Sequence, residues 1–314
     1  MAVELRPLSL GELLDRCFQY YRRHFGLFVG ILVIPLALLA AVSVAYQGMV
    51  WRIASLRGAV SLRTGLPLAI TLLYFVLVLV ISVLGYVSAQ GAATYALSQV
   101  YLDHPSTISS AYRGLKGRYG ELIWLSISIG IRIALFFIPC LIGVAIIAVG
   151  AHRHSSLALI GVVVVIGGGI LGFYLCLPYA LAVPALVVEN IEPRAAIDRC
   201  SDLAEGYRWQ LLVIGILMSL LTWVVMVLVE APLAAAVALG AAHKTGPHPV
   251  LAVVTAGISP LAKALTGPLF VIAFTIAYYD RRVRKEGFDL DVMLRNKPPG
   301  QPPQNLPPET SPAS

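Results

Sequence analysis

Six stretches of this chain run for twenty or more residues with almost no charge: Phe25–Tyr46, Leu66–Ser88, Leu122–Gly150, Leu157–Val188, Leu211–Glu230 and Val250–Tyr279. That pattern leaves few ways to fold. An α-helix rises about 1.5 Å per residue, so about 20 apolar residues cross a hydrocarbon core of about 30 Å. The only charges inside the six stretches are Arg132, Lys263 and the terminal Glu230. Only 12% of all residues are charged and 58% are hydrophobic, whereas soluble domains carry roughly 25% charge. A soluble fold could not keep that much apolar surface from water, so much of it must face lipid. The expected fold class is an all-α membrane protein with six transmembrane helices, in one domain over residues 1–295.

Two runs need comment. The uncharged stretch from Leu66 to Leu102 is too long for one straight span. Its second half, from Ser88 to Tyr95, is small and weakly polar, which predicts the same helix continuing into a packed part beyond the membrane. The first run could be mistaken for a signal peptide. It follows 24 residues bearing both acids and bases, and it exceeds a typical h-region of about 7–15 residues, so it reads as a membrane anchor.

Orientation follows from counting Lys and Arg. The segments before the first span, after the second, after the fourth and after the sixth hold 4, 3, 3 and 6, and the other connections hold 3, 1 and 1. The excess marks the first group, with both termini, as cytoplasmic. Arg52, Arg57 and Arg63 form the one dissenting loop. The expected location is the cell's inner membrane. Because the net charge of +7 is scattered between apolar runs, nucleic acid is not an expected partner.

A short amphipathic helix precedes each odd-numbered span, over about 9–23, 106–118 and 193–207. The first carries Leu10, Leu13, Leu14, Cys17, Phe18 and Tyr21 at helical spacing behind a Ser9/Glu12 capping box. The second carries Ile108, Ala111, Tyr112, Leu115 and Tyr119; the third opens at Pro193 and carries Ile197, Cys200, Ala204 and Tyr207. Asp15-Arg16-Cys17 recurs as Asp198-Arg199-Cys200, and the aromatics at the membrane threshold, Phe25, Tyr119 and Trp209, are spaced by 94 and 90 residues. The unit is therefore one interfacial helix plus a helical hairpin, used three times. Such helices lie in the headgroup plane with the apolar side down. Three unrelated juxtamembrane helices are the competing reading.

Three segments go beyond membrane patterning: Arg6 to Arg16, Val183 to Cys200 with Gly206 to Trp209, and Ile276 to Leu290. Together they resemble the membrane-domain family of glycerophosphoryl diester phosphodiesterases, bacterial multi-pass proteins of largely unknown function. The positions that match are Pro184, Glu189, Pro193, Arg199, Trp209, Tyr279, Asp280, Arg284, Glu286, Gly287 and Asp289; Arg281 departs, since an apolar residue is usual there. In complete phosphodiesterases of that kind a separate barrel carries the metal-binding acids and catalytic histidines. Six spans and a tail leave no room here for a barrel of about 250 residues. The resemblance thus implies the membrane half without the enzyme.

The remaining chemistry is sparse. Arg132 falls about ten residues into the third span, some ~15 Å deep by helix rise. A central arginine costs about 2.5–3.5 kcal/mol on the insertion scale. It either holds an anionic headgroup or phosphate, or snorkels to the interface, or binds freed carbonyls. Lys263 lies between Pro260 and Pro268, near the level of Glu230, and either pairs with it or serves an ion path. Glu189 and Asp280 end even-numbered spans, where the helix dipole disfavours an acid. Arg199 and Arg284 are the expected partners, making a ring of ion pairs. The basic run Arg281 to Lys285 stops the last span and should attract anionic lipid. His152-Arg153 reads as a solvated loop. Gly167–Gly169, Pro178 and Pro184 predict a bend or break in the fourth span, as Pro260 and Pro268 do in the sixth. With seven prolines in residues 296–314, the tail is expected to be disordered. The four cysteines have no metal spacing and are expected reduced. No cofactor, metal site or catalytic constellation is expected.

Two functions fit these features. One is a non-catalytic component that organises or assists membrane or lipid-related machinery, touching anionic lipids and a membrane-protein partner. The other is a carrier or channel for a small or lipidic anion, using broken helices four and six with Arg132 and Lys263.

Overall fold

The computed structural model describes residues 8–56, 65–101, 104–152, 156–242 and 249–286. The Pro-rich tail 296–314, Arg57, Arg63, Arg153, Gly287 and Asp289 lie outside the described residues. Every long element is helical: α1 (Leu10–Arg23), α2 (Phe25–Leu56), α3 (Gly65–Ile81), α4 (Val87–Tyr101), α5 (Ile108–Gly114), α6 (Tyr119–Phe136), α7 (Ile138–His152), α8 (Leu157–Cys176), α9 (Ala182–Glu189), α10 (Pro193–Ala204), α11 (Arg208–Ala242) and α12 (Pro249–Glu286). A π-helical turn, Ser82–Tyr86, joins α3 to α4, and a 3-10 turn, Leu177–Leu181, joins α8 to α9. Six apolar segments are long enough to cross a membrane: Phe25–Arg52, Ala69–Tyr101, Tyr119–Gly150, Leu157–Glu189, Arg208–Ala236 and Val253–Glu286. The chain is an all-α multi-pass membrane protein built from three units of a short helix and a long hairpin.

The short helices start where their local chemistry says they should. Ser9 accepts the Glu12 backbone N–H while Glu12 accepts that of Ser9, a reciprocal cap, and Leu8 and Leu13 at the staple positions are both buried. Thr107 and Ser110 build the same device for α5, and Pro193 is the first residue of α10. At matching places on the three helices Cys17, Ala111 and Cys200 are all fully buried. The helices pack against the bundle. Along α1, Leu8 meets Asp280, Cys17 meets the Leu269 carbonyl and Tyr21 meets the Leu265 carbonyl, so α1 runs antiparallel beside α12.

Helix α4 is the weakly polar continuation of the second span, and its small residues explain its burial. Ala89, Ala92, Ala93 and Ala96 are fully covered, and a Cβ on Gly91 would come within 2.8 Å of Leu122. Small side chains let α4 sit in the middle of the short helices; we call this end of the bundle the cap. The α7–α8 hairpin uses glycine instead: a Cβ on Gly161 would stand 2.8 Å from the Gly143 carbonyl oxygen, so the two backbones touch.

Proline acts differently from expectation. The fourth span does break, at Pro178 in the 3-10 turn, whereas Gly167–Gly169 stay inside α8. The third span is interrupted at Phe137, just before Pro139, which the sequence reading had not weighed. The last span does not break: α12 is one α-helix through Pro260 and Pro268. Pro268 removes an N–H and crowds the turn before it. Tyr21 Oη donates to the Leu265 carbonyl in that turn at 2.6 Å, and α2 packs along the same stretch, with Leu32 at Gly267 and Val44 at Gly257. Packing braces this stretch, and the helix stays continuous through both prolines. Accordingly α12 is the spine, with 67% of its span window buried against 6% to 33% for the other five.

Candidate functional site

The charges expected to form a ring meet at the cap. Asp280 is 3% exposed and accepts three hydrogen bonds: from the Leu8 backbone N–H at 2.7 Å, from Tyr207 Oη at 3.2 Å and from Arg284 Nε at 2.9 Å. The acid precedes the base by one turn, the favourable order along a helix. Arg284 also donates to the Leu8 carbonyl, so one ion pair on α12 holds both backbone groups of the residue that leads into α1. Burial, together with the charge and hydrogen bond of Asp280, pushes the Tyr207 phenol well above its ordinary range.

Glu189 anchors the second cluster. Arg199 reaches it through Nε and Nη2 at 3.0 to 3.1 Å, Tyr278 Oη donates to it, and Arg282 stands 3.5 Å away. Arg199 also pairs with Glu286. Burial opposes the Arg199 charge, but the bonds and charges of Glu189 and Glu286 outweigh it and hold the guanidinium above its usual range. Both expected pairs, Glu189 with Arg199 and Asp280 with Arg284, are thus present, and they tie the three units together.

Several participants take roles that the sequence did not assign them, and Arg118 and Tyr278 were not singled out at all. Arg118 donates to the Leu186 and Ile191 carbonyls at 3.1 and 3.0 Å, next to the open C-terminus of α9, and pairs with Glu121. Arg281 donates to the Leu203 and Glu205 carbonyls and lies over the Tyr207 ring. Tyr278 and Arg282 complete the Glu189 cluster. Their roles depend on which helix ends face them, which no local pattern encodes. In the basic run, Arg281 and Arg282 are half-buried, whereas Arg284 and Lys285 are exposed, with Lys285 donating to the Asp202 carbonyl.

Arg132 lies within the third span, as its position in the sequence implies. It lies one turn before Phe136, whose carbonyl adjoins Gly172, and close enough to Cys200 of α10 and Tyr179 of the 3-10 turn to act on both electrostatically. Arg208, at the start of α11, covers Tyr174 on the same stretch. Arg132 thus stands in the cap-facing half of the Tyr119–Gly150 span, on the side of α10 and the 3-10 turn. Its Nη1 is buried without a hydrogen-bond partner.

Lys263 and Glu230 do not form the expected ion pair. Lys263 lines a cleft of 650 Å³ together with Ser219, Thr222 and Met226 of α11, and Glu230 is one turn further along. A second cavity of 480 Å³ lies toward the cap, where Gln90, Thr94, Ser126, Tyr179 and Thr275 supply polar groups; Arg132 is not part of its wall. Thr94, Ser126 and Thr275 donate to carbonyls of their own helices, so only their lone pairs are left to a guest. Tyr86 and Phe270 line both spaces and divide them.

Cys17 and Cys200 are buried thiols, while Cys140 and Cys176 are half-buried. Desolvation pushes Cys17 up to about 12 and Cys200 up to about 12, the latter despite Arg132. Such thiols are poor nucleophiles. Among the described residues no group of three His, Cys, Asp or Glu side chains could hold a metal ion.

No family model, curated protein or solved structure matches the chain. Glu189, Arg199, Tyr279, Asp280, Arg284 and Glu286 all lie in or beside the two cap clusters.

Proposed function

We propose that the chain is a non-catalytic membrane component that organises or assists lipid-related or other membrane machinery. On this reading it belongs beside the membrane halves of glycerophosphoryl diester phosphodiesterases, sits in the inner membrane and turns its cap and both termini to the cytoplasm. The observation that carries the reading is how the cap uses its charges. Glu189, Arg199, Asp280, Arg284 and Glu286 bind one another, and Arg118 and Arg281 bind backbone carbonyls. Groups engaged in this way fasten three units into one rigid surface, which suits docking better than turnover. Its expected contacts are anionic lipids and a membrane-protein partner.

A second reading, a carrier or channel for a small or lipidic anion, draws support from the two cavities that meet at Tyr86 and Phe270. The unbroken α12 removes one of the two discontinuous helices on which it relied.

Reconstitution separates the two. Purified chain in vesicles loaded with chloride or phosphate should release neither faster than empty vesicles. Anion efflux that vanishes in Lys263→Ala would replace the organising role with transport.

A further inference from the structure

We propose that the Lys263 cleft is a binding site for an acidic phospholipid, entered sideways from the bilayer, with the lipid phosphate on the Lys263 ammonium. The inference concerns a ligand, and it stands whether the chain organises partners or moves anions.

The cleft has a floor and two flanks. α2 and α12 form the floor, packed closely enough that a Cβ on Gly267 would come within 2.6 Å of Leu32. α11 makes one flank through Ser219, Thr222 and Trp223, and the π turn makes the other through Ser82 and Tyr86. Extra residues inserted into a helical ladder in this way recur at functional sites. Here the turn also presses against α2, since a Cβ on Gly85 would stand 2.7 Å from Pro35. The mouth lies between α11 and the π turn, on a face where Leu79, Leu220 and Trp223 are 53% to 63% exposed. In a six-span protein such a face meets acyl chains.

Lys263 is ten residues into the Val253–Glu286 span, about 15 Å from its start by helix rise. An ionisable side chain at such a depth needs a partner or water and marks a functional site by default. No acidic side chain among the described residues answers it, and Glu230, the nearest candidate by sequence, stays unpaired with it. An unanswered cation therefore calls for an anion from outside the chain. The hydroxyls of Ser82, Ser219 and Thr222 add groups able to donate to phosphate oxygens. Apart from the hydroxyls of Tyr86 and Thr266 the rest of the wall is apolar, with Pro35, Leu36 and Met226 among it. A free inorganic anion would satisfy the lysine and leave that wall facing water. An acidic lipid satisfies both, the phosphate at Lys263 and an acyl chain along the apolar side. The volume of 650 Å³ lies within the range of ligand sites.

The test is native mass spectrometry of the purified full chain in a non-ionic detergent, titrated separately with dioleoyl phosphatidylglycerol, dioleoyl phosphatidylcholine and oleate. The wild type should retain phosphatidylglycerol at least fivefold better than phosphatidylcholine. Lys263→Met should remove that preference, while Lys263→Arg keeps it. Ser219→Trp, which fills the cleft and leaves the lysine in place, should lower retention of either phospholipid, so the proposal stays testable if Lys263→Met does not fold. Equal retention of the two phospholipids by the wild type overturns the proposal, as does an unchanged preference in Lys263→Met or full retention in Ser219→Trp. Lysine-dependent binding of oleate without phosphatidylglycerol also overturns it, since the site would then take a carboxylate.

Discussion

Helix α12 carries an acid at one end and a base toward the other, and the structure treats them in opposite ways. Asp280 is buried in the cap with three hydrogen bonds, whereas Lys263 stands in an open cleft with no carboxylate opposite. Both interrupt an apolar helix, and both would be costly if left alone in lipid. The difference is the company. Around Asp280 the chain's first described residue, α10 and α12 converge, so the charge is part of the fold. Around Lys263 the flanking helices stay apart, and the charge faces outward. A buried charge with every partner supplied by the protein is structural; a cleft charge at membrane depth with no partner points to a ligand.

The largest expected effect tests the first half of that contrast. Asp280→Ala leaves the Leu8 N–H, the Tyr207 hydroxyl and Arg284 without their acceptor. Removing one partner of a buried pair costs about 3–5 kcal/mol. Because Arg284 is partly solvated, about 3 kcal/mol is expected, seen as a lower melting temperature in detergent and early proteolysis before α1. A melting temperature matching the wild type would show that the cap does not depend on this charge.

Glu189→Ala should act in the same direction but less. Its side chain is 14% exposed and that of Arg199 29%, so water compensates part of the loss. About 1–2 kcal/mol is expected, between the values for buried and surface pairs. Arg199→Lys should recover only part of the pair, since lysine cannot reproduce the double approach from Nε and Nη2. Thermal melts of the three variants check the ranking.

Alkaline pH probes the cap without mutation. The Cys17 and Cys200 thiols are raised by burial to about 12 from an ordinary value near 9.0. Below 9 both folded and unfolded chains keep the protons, and the stabilisation is fully present. As pH rises from about 9 toward 12 the unfolded chain loses them first, so stability falls across that window. At pH 8 neither thiol should react with a maleimide until the protein is denatured. Rapid labelling of either one in the folded chain would mean that the cap opens.

The smallest effect is expected at the open end. Lys263→Met and Glu230→Gln should each change stability by less than about 0.5 kcal/mol, with a coupling between them inside the additivity limit of about 0.3–0.5 kcal/mol. A larger favourable coupling would restore the ion pair that the structure lacks and erase the contrast with Asp280.

Much of this architecture was legible in the chain because its signals are local. Twenty-residue apolar runs require spans, reciprocal caps start α1 at Ser9, and acids at the ends of spans four and six need bases nearby. The pairs Glu189–Arg199 and Asp280–Arg284 followed, since each base lies a short distance along the chain from its acid. Long-range placement was not legible. Pro260 and Pro268 carry the same local signal as Pro178, yet only Pro178 sits at a break, because α1 and α2 brace α12. Arg132 was placed by counting about ten residues from Leu122, but nothing in the sequence says that Cys200 and Tyr179 come near it. Glu230 and Lys263 match in approximate depth, but the direction of each side chain around its helix decides whether they meet.

By itself, then, the sequence determined that this is a six-span helical membrane protein with a threefold plan and a charged end, because hydrophobic length and helix capping act within a few turns. Only the tertiary structure decided which charges are consumed at the cap, that α12 runs unbroken as the spine, and that Lys263 faces a cleft. Those outcomes depend on which helices approach one another, and close approach is set by small residues such as Gly91, Gly161 and Gly267 acting on partners far away in the chain.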